Sequence, residues 1–259
     1  MKISLITATY NSEKYLRDTF DSVLRQDYHD IEYIVVDGLS TDSTIDIIKE
    51  YELLFNGKMK WVSESDQGLY DALNKGFKMA SGDVVGILNS DDFFTSPNVL
   101  SRIIENFINS DCDAVYADIH FVDPDDVKKA VRYYSSSIFR RPLMRIGFIP
   151  AHPTFYVYKH FFEKYGYYKT DYKIAADFEL LLRFIYVNKI KTKYIPLDCV
   201  TMRMGGMSTE SMDSRKIIMK EHLRAFKENG IRTNRFILSL RYPYKIGELI
   251  KARIKNKNK

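Results

Sequence analysis

An abrupt change from apolar to acidic residues marks the first stretch of this sequence that could do chemistry. Residues 84–88 read as a buried strand, and Asn89, Ser90, Asp91 and Asp92 follow at once. Adjacent carboxylates repel each other unless water, hydrogen bonds or a cation compensates. A hard divalent cation such as Mg²⁺ or Mn²⁺, shared with substrate phosphates, would compensate well. The alternative is a solvated turn leading into a helix N-cap, since Asp and Ser favour both.

Polar residues also follow the three predicted strands that precede this one: Thr9, Tyr10 and Asn11; Asp37, Ser40 and Asp42; Glu64 and Asp66. In open α/β sheets, ligands bind outside the carboxyl ends of the strands. If the sheet is parallel, all four strand ends lie along one edge. One acidic turn would be unremarkable, but several along one edge predict a site.

Alternating strands and helices would position these residues. Strands are predicted over residues 2–8, 31–36, 59–62 and 84–88, with helices over 15–26, around 45–51 and over 69–79. In the first helix, for example, Leu16, Phe20 and Val23 recur on one face. This alternation predicts an α/β fold whose parallel sheet is built from right-handed βαβ units.

The pattern changes after Phe94. Further elements are predicted as follows: helices over residues 98–108, from 175 onward and over about 211–228; strands over 114–119, 155–158, 194–197 and 199–202. Residues 121–126 carry three Asp and are interpreted as a solvated hairpin tip. The aromatic and basic stretch 133–150 is either a lid or acceptor-binding wall, with Arg145 as a candidate contact, or an ordinary connection.

Two further groups have both a structural and a functional interpretation. His152 is either a satisfied structural histidine or a contact on the acceptor side. Asp177 and Glu179 lie in the first turn of a predicted helix, where acids complement the helix dipole. Either carboxylate could also serve as a base, and physical reasoning alone does not choose between them.

The composition is that of an ordinary globular protein, with 45% hydrophobic and 28% charged residues. A length of 259 residues suits one large domain, or a domain with an extension. Cys112 and Cys199 make neither a disulfide framework nor a zinc site, which fits a reducing cytosol. The start of the chain is too short for a signal peptide and no stretch could span a bilayer, so we expect a cytoplasmic protein.

The charge is concentrated at one end. Residues 215–259 carry 14 Lys and Arg against 3 Asp and Glu, a net +11, while 25 basic and 31 acidic residues give the remainder −6. Residues 1–230 are predicted as the main domain and 231–259 as a basic amphipathic extension. Residues 233–259 would lie on an anionic membrane surface or, alternatively, dock on the body. Nucleic-acid binding is not expected, because no recognised motif accompanies the charge.

A set of motifs between Lys2 and about Asn229 resembles family 2 glycosyltransferases with the GT-A fold. In order, they are Thr9-Tyr10-Asn11, Val36-Asp37-Gly38-x-Ser40-x-Asp42, Asp66-Gln67-Gly68-x-Tyr70-Asp71-Ala72-x-Asn74-Lys75-Gly76, Ser81-Gly82-Asp83, Asn89-Ser90-Asp91-Asp92, His152-Pro153 and Ala176-Asp177-Phe178-Glu179-Leu180-x-x-Arg183. Each motif alone is weak, but the ordered set is specific. The resemblance implies a Rossmann-like, mostly parallel mixed sheet and inverting transfer of a sugar from a UDP-linked donor to an acceptor hydroxyl.

The resemblance also implies roles for individual residues. Asp91 would sit near the ribose, Asp92 would hold the Mn²⁺ or Mg²⁺ that bridges the diphosphate, and Asp177 would be the catalytic base. The other donor-side candidates are Ala8, Thr9 and Tyr10 around the base and ribose, Asp37 beside uracil, and Asp66, Asp71, Asn74, Lys75 and Ser90 within the motifs.

Three positions depart from the commonest family pattern. Gly38 stands where a second Asp is frequent, which leaves one contact to the base unassigned. Asn89 replaces a frequent acid at the start of the metal motif. Leu73 stands where an Arg is common, so that Asp71 or Lys75 would take over polar contacts to the donor.

The leading hypothesis is therefore a metal-dependent UDP-sugar glycosyltransferase acting on a carbohydrate or lipid-linked carbohydrate in bacterial surface-polysaccharide assembly. A sugar-nucleotide nucleotidyltransferase is one alternative, but it would show a Gly-rich loop with Lys or Arg after the first strand, and Thr9-Tyr10-Asn11 is not such a loop. A non-catalytic nucleotide-sugar-binding protein is another, and it would bind UDP without turnover.

Overall fold

The first half of the chain alternates strands and helices as predicted. The computed structural model describes residues 1–205 and 212–241. Its first elements are β1 (Ile3–Thr9), α1 (Leu16–Leu24), β2 (Ile31–Asp37), α2 (Thr44–Leu54), β3 (Met59–Ser63), α3 (Leu69–Met79) and β4 (Val84–Ile87).

The second half is less regular. Its elements are β5 (Phe93–Phe94), α4 (Val99–Ile108), β6 (Ala114–Val122), β7 (Ala130–Tyr134), β8 (Tyr156–Tyr158), α5 (His160–Tyr165), α6 (Ala176–Leu181), β9 (Thr192–Arg203), α7 (Met212–Glu228) and α8 (Arg235–Ser239). Short 3₁₀ turns cover Arg141–Ile146 and His152–Thr154, and α6 continues as a π-helix over Leu182–Val187.

One mixed sheet joins these strands in the order β3-β2-β1-β4-β8-β6-β9-β5, with β7 beside β6. Strands β1 to β4 run parallel. Strand β8 is antiparallel to both β4 and β6, and β9 is parallel to β6. Six strands, β1 to β4, β6 and β9, therefore end at the same edge of the sheet. The predicted α/β class, with a mostly parallel sheet flanked by helices, is confirmed.

Each face of the sheet carries its own apolar core. Side chains alternate along a strand, so Leu5 of β1 packs toward α1, α2 and α4, while its neighbour Ile6 packs toward α3, α6 and α7. Gly86 in β4 makes room for the ring of Tyr156, since a Cβ at this glycine would lie 2.2 Å from it. The two cores hold the strand ends rigidly under the site.

The structure differs from the sequence-based expectations at strand β9. The two strands expected over residues 194–202 are one strand, β9, whose register with β6 shifts around Pro196, a residue that has no amide hydrogen to donate. The stretch 133–150 contains the end of β7 and a 3₁₀ turn. Most of the predicted basic extension, residues 242–259, lies outside the described residues. Within the described ranges, no helix has the length and hydropathy that a bilayer span requires.

Candidate active site

A cavity of about 640 Å³ opens at the edge where the six strands end. That volume lies within the range of about 300–1,000 Å³ that is typical of small-molecule sites. Residues singled out from the sequence that line it are Ala8, Asn11, Leu73, Asn89, Ser90, Asp91, Asp92, His152 and Asp177.

The acidic turn after β4 is fixed by hydroxyl groups from β1 and α1. Thr7 Oγ1 donates to the Leu88 carbonyl at 2.7 Å. Thr19 Oγ1 lies 3.0 Å from the Ser90 carbonyl and 2.7 Å from that of Asp92. Because these bonds hold the backbone, the carboxylates of the turn have a defined position at the cavity wall.

The two carboxylates of this turn are poorly compensated by the protein. Asp92 is 1% exposed, and it accepts hydrogen bonds from Asn89 Nδ2 at 2.8 Å and the Arg203 amide at 3.3 Å. Burial, followed by the charge of Asp91, raises the pKa of Asp92 well above its ordinary value. Burial also raises the pKa of Asp91. The pair therefore holds protons more tightly than exposed carboxylates would, unless a cation is bound.

These residues fit a divalent cation that is shared with substrate. Among the described residues, no group of three or more His, Cys, Asp or Glu side chains could hold a metal alone. Mg²⁺ is commonly held by one or two carboxylates while substrate phosphates and water supply the other ligands. Asp92, with Asp91 beside it, provides that kind of partial ligand set.

Arg203, at the carboxyl end of β9, also lines the cavity, although the sequence analysis did not single it out. The side chain is 5% exposed, and its guanidinium donates to the Asp91 carbonyl and to Asp18. Its charge opposes the rise in the pKa of both Asp91 and Asp92. Arg203 could have been found from the sequence, because it is a charged residue at the carboxyl end of a predicted strand. The sequence did not show that this strand ends at the same edge of the sheet as β1 and β4.

The structure separates Asp177 from Glu179. Asp177 lines the cavity, and burial raises the pKa of its carboxyl. Glu179 is fully buried elsewhere, with its carboxylate 2.9 Å from Arg183 and 3.1 Å from Lys169. Burial would raise the pKa of Glu179, but Arg183, Asn229 and Lys169 together outweigh burial and hold that pKa below its ordinary value. Only Asp177 is placed to meet a ligand in the cavity.

His152 shares the Asp177 side of the cavity. Burial lowers the pKa of His152 and favours the neutral ring. Its Nε2 lies 2.6 Å from the hydroxyl of Tyr168. Asn74 bonds the backbone of the same tyrosine, donating to its carbonyl at 2.8 Å and accepting from its amide at 3.0 Å. Asn74 thus lies behind the cavity wall and fixes Tyr168.

The donor-side candidates at the ends of β1 to β3 form a neighbouring group. The carboxylate of Asp37 is buried, and it accepts from the Ser40 hydroxyl at 2.5 Å and the Ser63 hydroxyl at 2.7 Å. Asp66 fills the space above Gly38, where a Cβ would lie 2.5 Å from its Oδ2. Tyr10 is 63% exposed, while Thr9 beside it is buried and its Oγ1 has no hydrogen-bond partner among the described residues.

Three other candidates lie away from the cavity wall. Lys75 Nζ bonds the Ser65 carbonyl at 2.6 Å and pairs with Glu64 at 3.0 Å and with Asp71 at 3.8 Å. The guanidinium of Arg145 donates to the Arg232 carbonyl at 2.9 Å. Lys75 and Asp71 hold the start of α3, whereas Arg145 ties its 3₁₀ turn to the segment after α7.

Comparison with known sequences identifies relatives of one kind. Residues 4–176, more than half of the chain, match the family model described as "Glycosyl transferase family 2". An uncharacterized glycosyltransferase of Nostoc sp. is 39% identical over 126 residues. That alignment covers 49% of this chain but only 39% of the relative.

Two solved structures share the fold. S. aureus TarS 1–349, in complex with UDP-GlcNAc, aligns with a TM-score of 0.68 at 21% identity, over 87% of this chain and 66% of TarS 1–349. The mannosyltransferase PcManGT of Pyrobaculum calidifontis, in complex with GDP-Man and Mn²⁺, aligns with a TM-score of 0.65 at 17% identity. That alignment covers 90% of this chain and 65% of PcManGT.

Proposed function

Because the chain belongs to glycosyl transferase family 2 and has the GT-A fold, we propose that this glycosyltransferase moves a sugar from a UDP-sugar to an acceptor hydroxyl with inversion at the anomeric carbon. One observation carries the proposal. The acidic pair Asp91 and Asp92 and the separate carboxylate of Asp177 line the same cavity, although they come from different elements.

The acidic pair is assigned to the diphosphate. Asp92, with Asp91 beside it, would hold Mn²⁺ or Mg²⁺, which neutralises the charge that develops on the departing nucleoside diphosphate. The same fold in PcManGT holds GDP-Man together with Mn²⁺. The buried guanidinium of Arg203 adds a fixed positive charge at this wall.

Asp177 is assigned as the base. Inversion requires one displacement, in which the acceptor oxygen forms the new bond to the anomeric carbon while the bond to the diphosphate breaks. The hydroxyl proton passes to the Asp177 carboxylate, a step worth about 10²–10⁴-fold in rate. Burial raises the pKa of Asp177 and so makes this carboxylate a better proton acceptor than an exposed one.

The nucleotide is proposed to be UDP. TarS shares the fold and binds UDP-GlcNAc. The half-buried Asp66, near Tyr10, offers a carboxylate acceptor for the N–H of a base, and the buried Asp37, held by Ser40 and Ser63, lies beside this position. A panel of UDP- and GDP-sugars, incubated with Mn²⁺ or with chelator, tests the assignment by release of the nucleoside diphosphate. Release from GDP-sugars alone, or equal release with chelator, would contradict it.

The acceptor is proposed to be a carbohydrate, free or lipid-linked, of the kind used in bacterial surface polysaccharides.

Residues 233–259 are proposed to hold the enzyme at an anionic membrane surface. Each Lys or Arg near such a surface contributes about 1 kcal/mol. Replacing Lys245, Lys251 and Lys255 by Gln should lower recovery on anionic liposomes. Replacing three exposed lysines of the body, Lys49, Lys58 and Lys128, is the matched control. Equal recovery of both triple variants would refute this attachment.

A further inference from the structure

Helix α7 holds the chain on both sides of Asp177. Two consecutive residues of this helix, Glu221 and His222, are buried against α6 and the segment that leads into it. Both lie beyond residues 4–176, the part of the chain that matches the family model. Their contacts are made just before and just after the carboxylate assigned as the base.

Glu221 binds the backbone ahead of Asp177. Its carboxylate accepts three successive amides, from Lys173 at 2.7 Å, Ile174 at 3.0 Å and Ala175 at 2.8 Å. These amides precede the first turn of α6, where no helical carbonyl is available to them. A carboxylate that accepts backbone N–H groups makes stronger hydrogen bonds than a neutral acceptor. Glu221 is 8% exposed, so these bonds are shielded from water.

The opposite side of this segment and the residue after Asp177 are also fixed. The hydroxyl of Tyr70, a residue of α3 that lines the cavity, donates to the Ile174 carbonyl. The ring of His222 stacks on Phe178, with ring centres 3.8 Å apart and planes 16° apart. Asp177 is therefore held between two anchored neighbours, and its Oδ1 accepts from the Phe178 amide at 2.7 Å.

We propose that Glu221 is a positioning residue that fixes the approach of Asp177 to the acceptor. The inference rests on the proposed function of Asp177. Among the described residues, His152, Tyr70, Tyr168 and Glu221 interact electrostatically with the Asp177 carboxylate. Burial is the main reason that the pKa of Asp177 is raised; His152 lowers this pKa, and the negative charge of Glu221 raises it further.

Glu221→Gln tests the proposal, because glutamine has the same size but only one acceptor oxygen and no charge. Misplacement by about 1 Å can cost about 100-fold in rate, so we expect kcat to fall about 10- to 100-fold while KM for the UDP-sugar stays unchanged. Loss of the charge lowers the pKa of Asp177, so the acid limb of the kcat–pH profile should move to lower pH. The matched control is Asp213→Asn, which removes an exposed charge from the same helix.

Titration of the Asp177 carboxyl by ¹³C NMR in the unliganded protein gives a second measurement that needs no substrate. A lower pKa in Glu221→Gln, with Asp213→Asn unchanged, supports the inference. An unchanged titration together with a wild-type kcat overturns it. If the Gln variant does not fold, Glu221→Asp keeps the charge but shortens the reach, and it should retain the Asp177 titration with a reduced kcat. Absence of any sugar transfer by the wild type would instead count against the proposed function.

Discussion

Replacing Asp92 by Asn should stabilise the metal-free protein. The wild-type carboxylate is almost fully buried beside a second carboxylate, and among the described residues only Asn89 and the Arg203 amide donate to it. A buried polar group whose hydrogen bonds are incomplete lowers the free energy of unfolding by about 1–3 kcal/mol. For a domain of this size about 1 kcal/mol shifts Tm by roughly 2–4 °C, so we expect Tm to rise by roughly 2–12 °C.

The gain should depend on pH in a defined direction. Burial raises the folded-state pKa of Asp92 above its value of about 3.9 in the unfolded chain. Below both values the carboxyl is protonated in both states and costs nothing. Between the unfolded-state pKa and the folded-state pKa, the folded protein still holds the proton that the unfolded chain has released. The free energy of unfolding of the wild type therefore falls as pH rises through this range. The Tm difference should therefore grow with pH and level off above the folded-state pKa.

Differential scanning calorimetry in chelator, at several pH values, measures this difference. Addition of Mn²⁺ and UDP should reverse the order of the two proteins, since ligand at 100 times Kd stabilises by about 2.7 kcal/mol and the variant lacks the ligating charge. Asp46→Asn, an exposed site in α2, is the matched control. If the variant melts below the wild type in chelator at every pH, the reasoning is refuted, because the Asp92 carboxylate would then stabilise the metal-free fold.

Three further predictions concern single positions. Asp177→Asn should lower kcat about 10²–10⁴-fold and leave the Kd for UDP unchanged by calorimetry; undiminished transfer would remove Asp177 from its role. Glu179→Gln should lower the free energy of unfolding by about 3–5 kcal/mol, because it leaves the nearly buried charge of Arg183 without its carboxylate partner, whereas Lys169 keeps Glu228; a wild-type urea midpoint would contradict this. Gly86→Ala should cost about 1–3 kcal/mol through its clash with Tyr156, as a lower urea midpoint; an unchanged midpoint would show that the ring can move aside.

The strands that carry the acidic turns were predictable because their patterns are local. Strands were predicted over residues 31–36 and 84–88, which are followed by turn-forming residues, and the bounds of β2 and β4 agree with them to within one residue. Strand β9 was predicted as two strands, 194–197 and 199–202, with Asp198 between them. Here the long pairing with β6 continues on either side of the shift, and sequence alone does not reveal that partner.

The choice between Asp177 and Glu179 needed the tertiary structure. Residues two apart on an α-helix point about 200° away from each other, so one faces the cavity while the other faces the core. Glu179 is the one that faces the core, because Lys169 and Arg183 pair with it there. Arg203 was missed for a related reason, because its partner Asp91 lies 112 residues away in the chain.

Calorimetric titration of UDP into the wild type, with Mn²⁺ and then with chelator, tests most directly whether the acidic pair captures a metal-bound diphosphate. We predict binding with Mn²⁺ that is strongly weakened by chelator and equally weakened in Asp92→Asn. Binding that is the same in Mn²⁺ and chelator, or no binding of UDP in either, would contradict the assignment of Asp91 and Asp92.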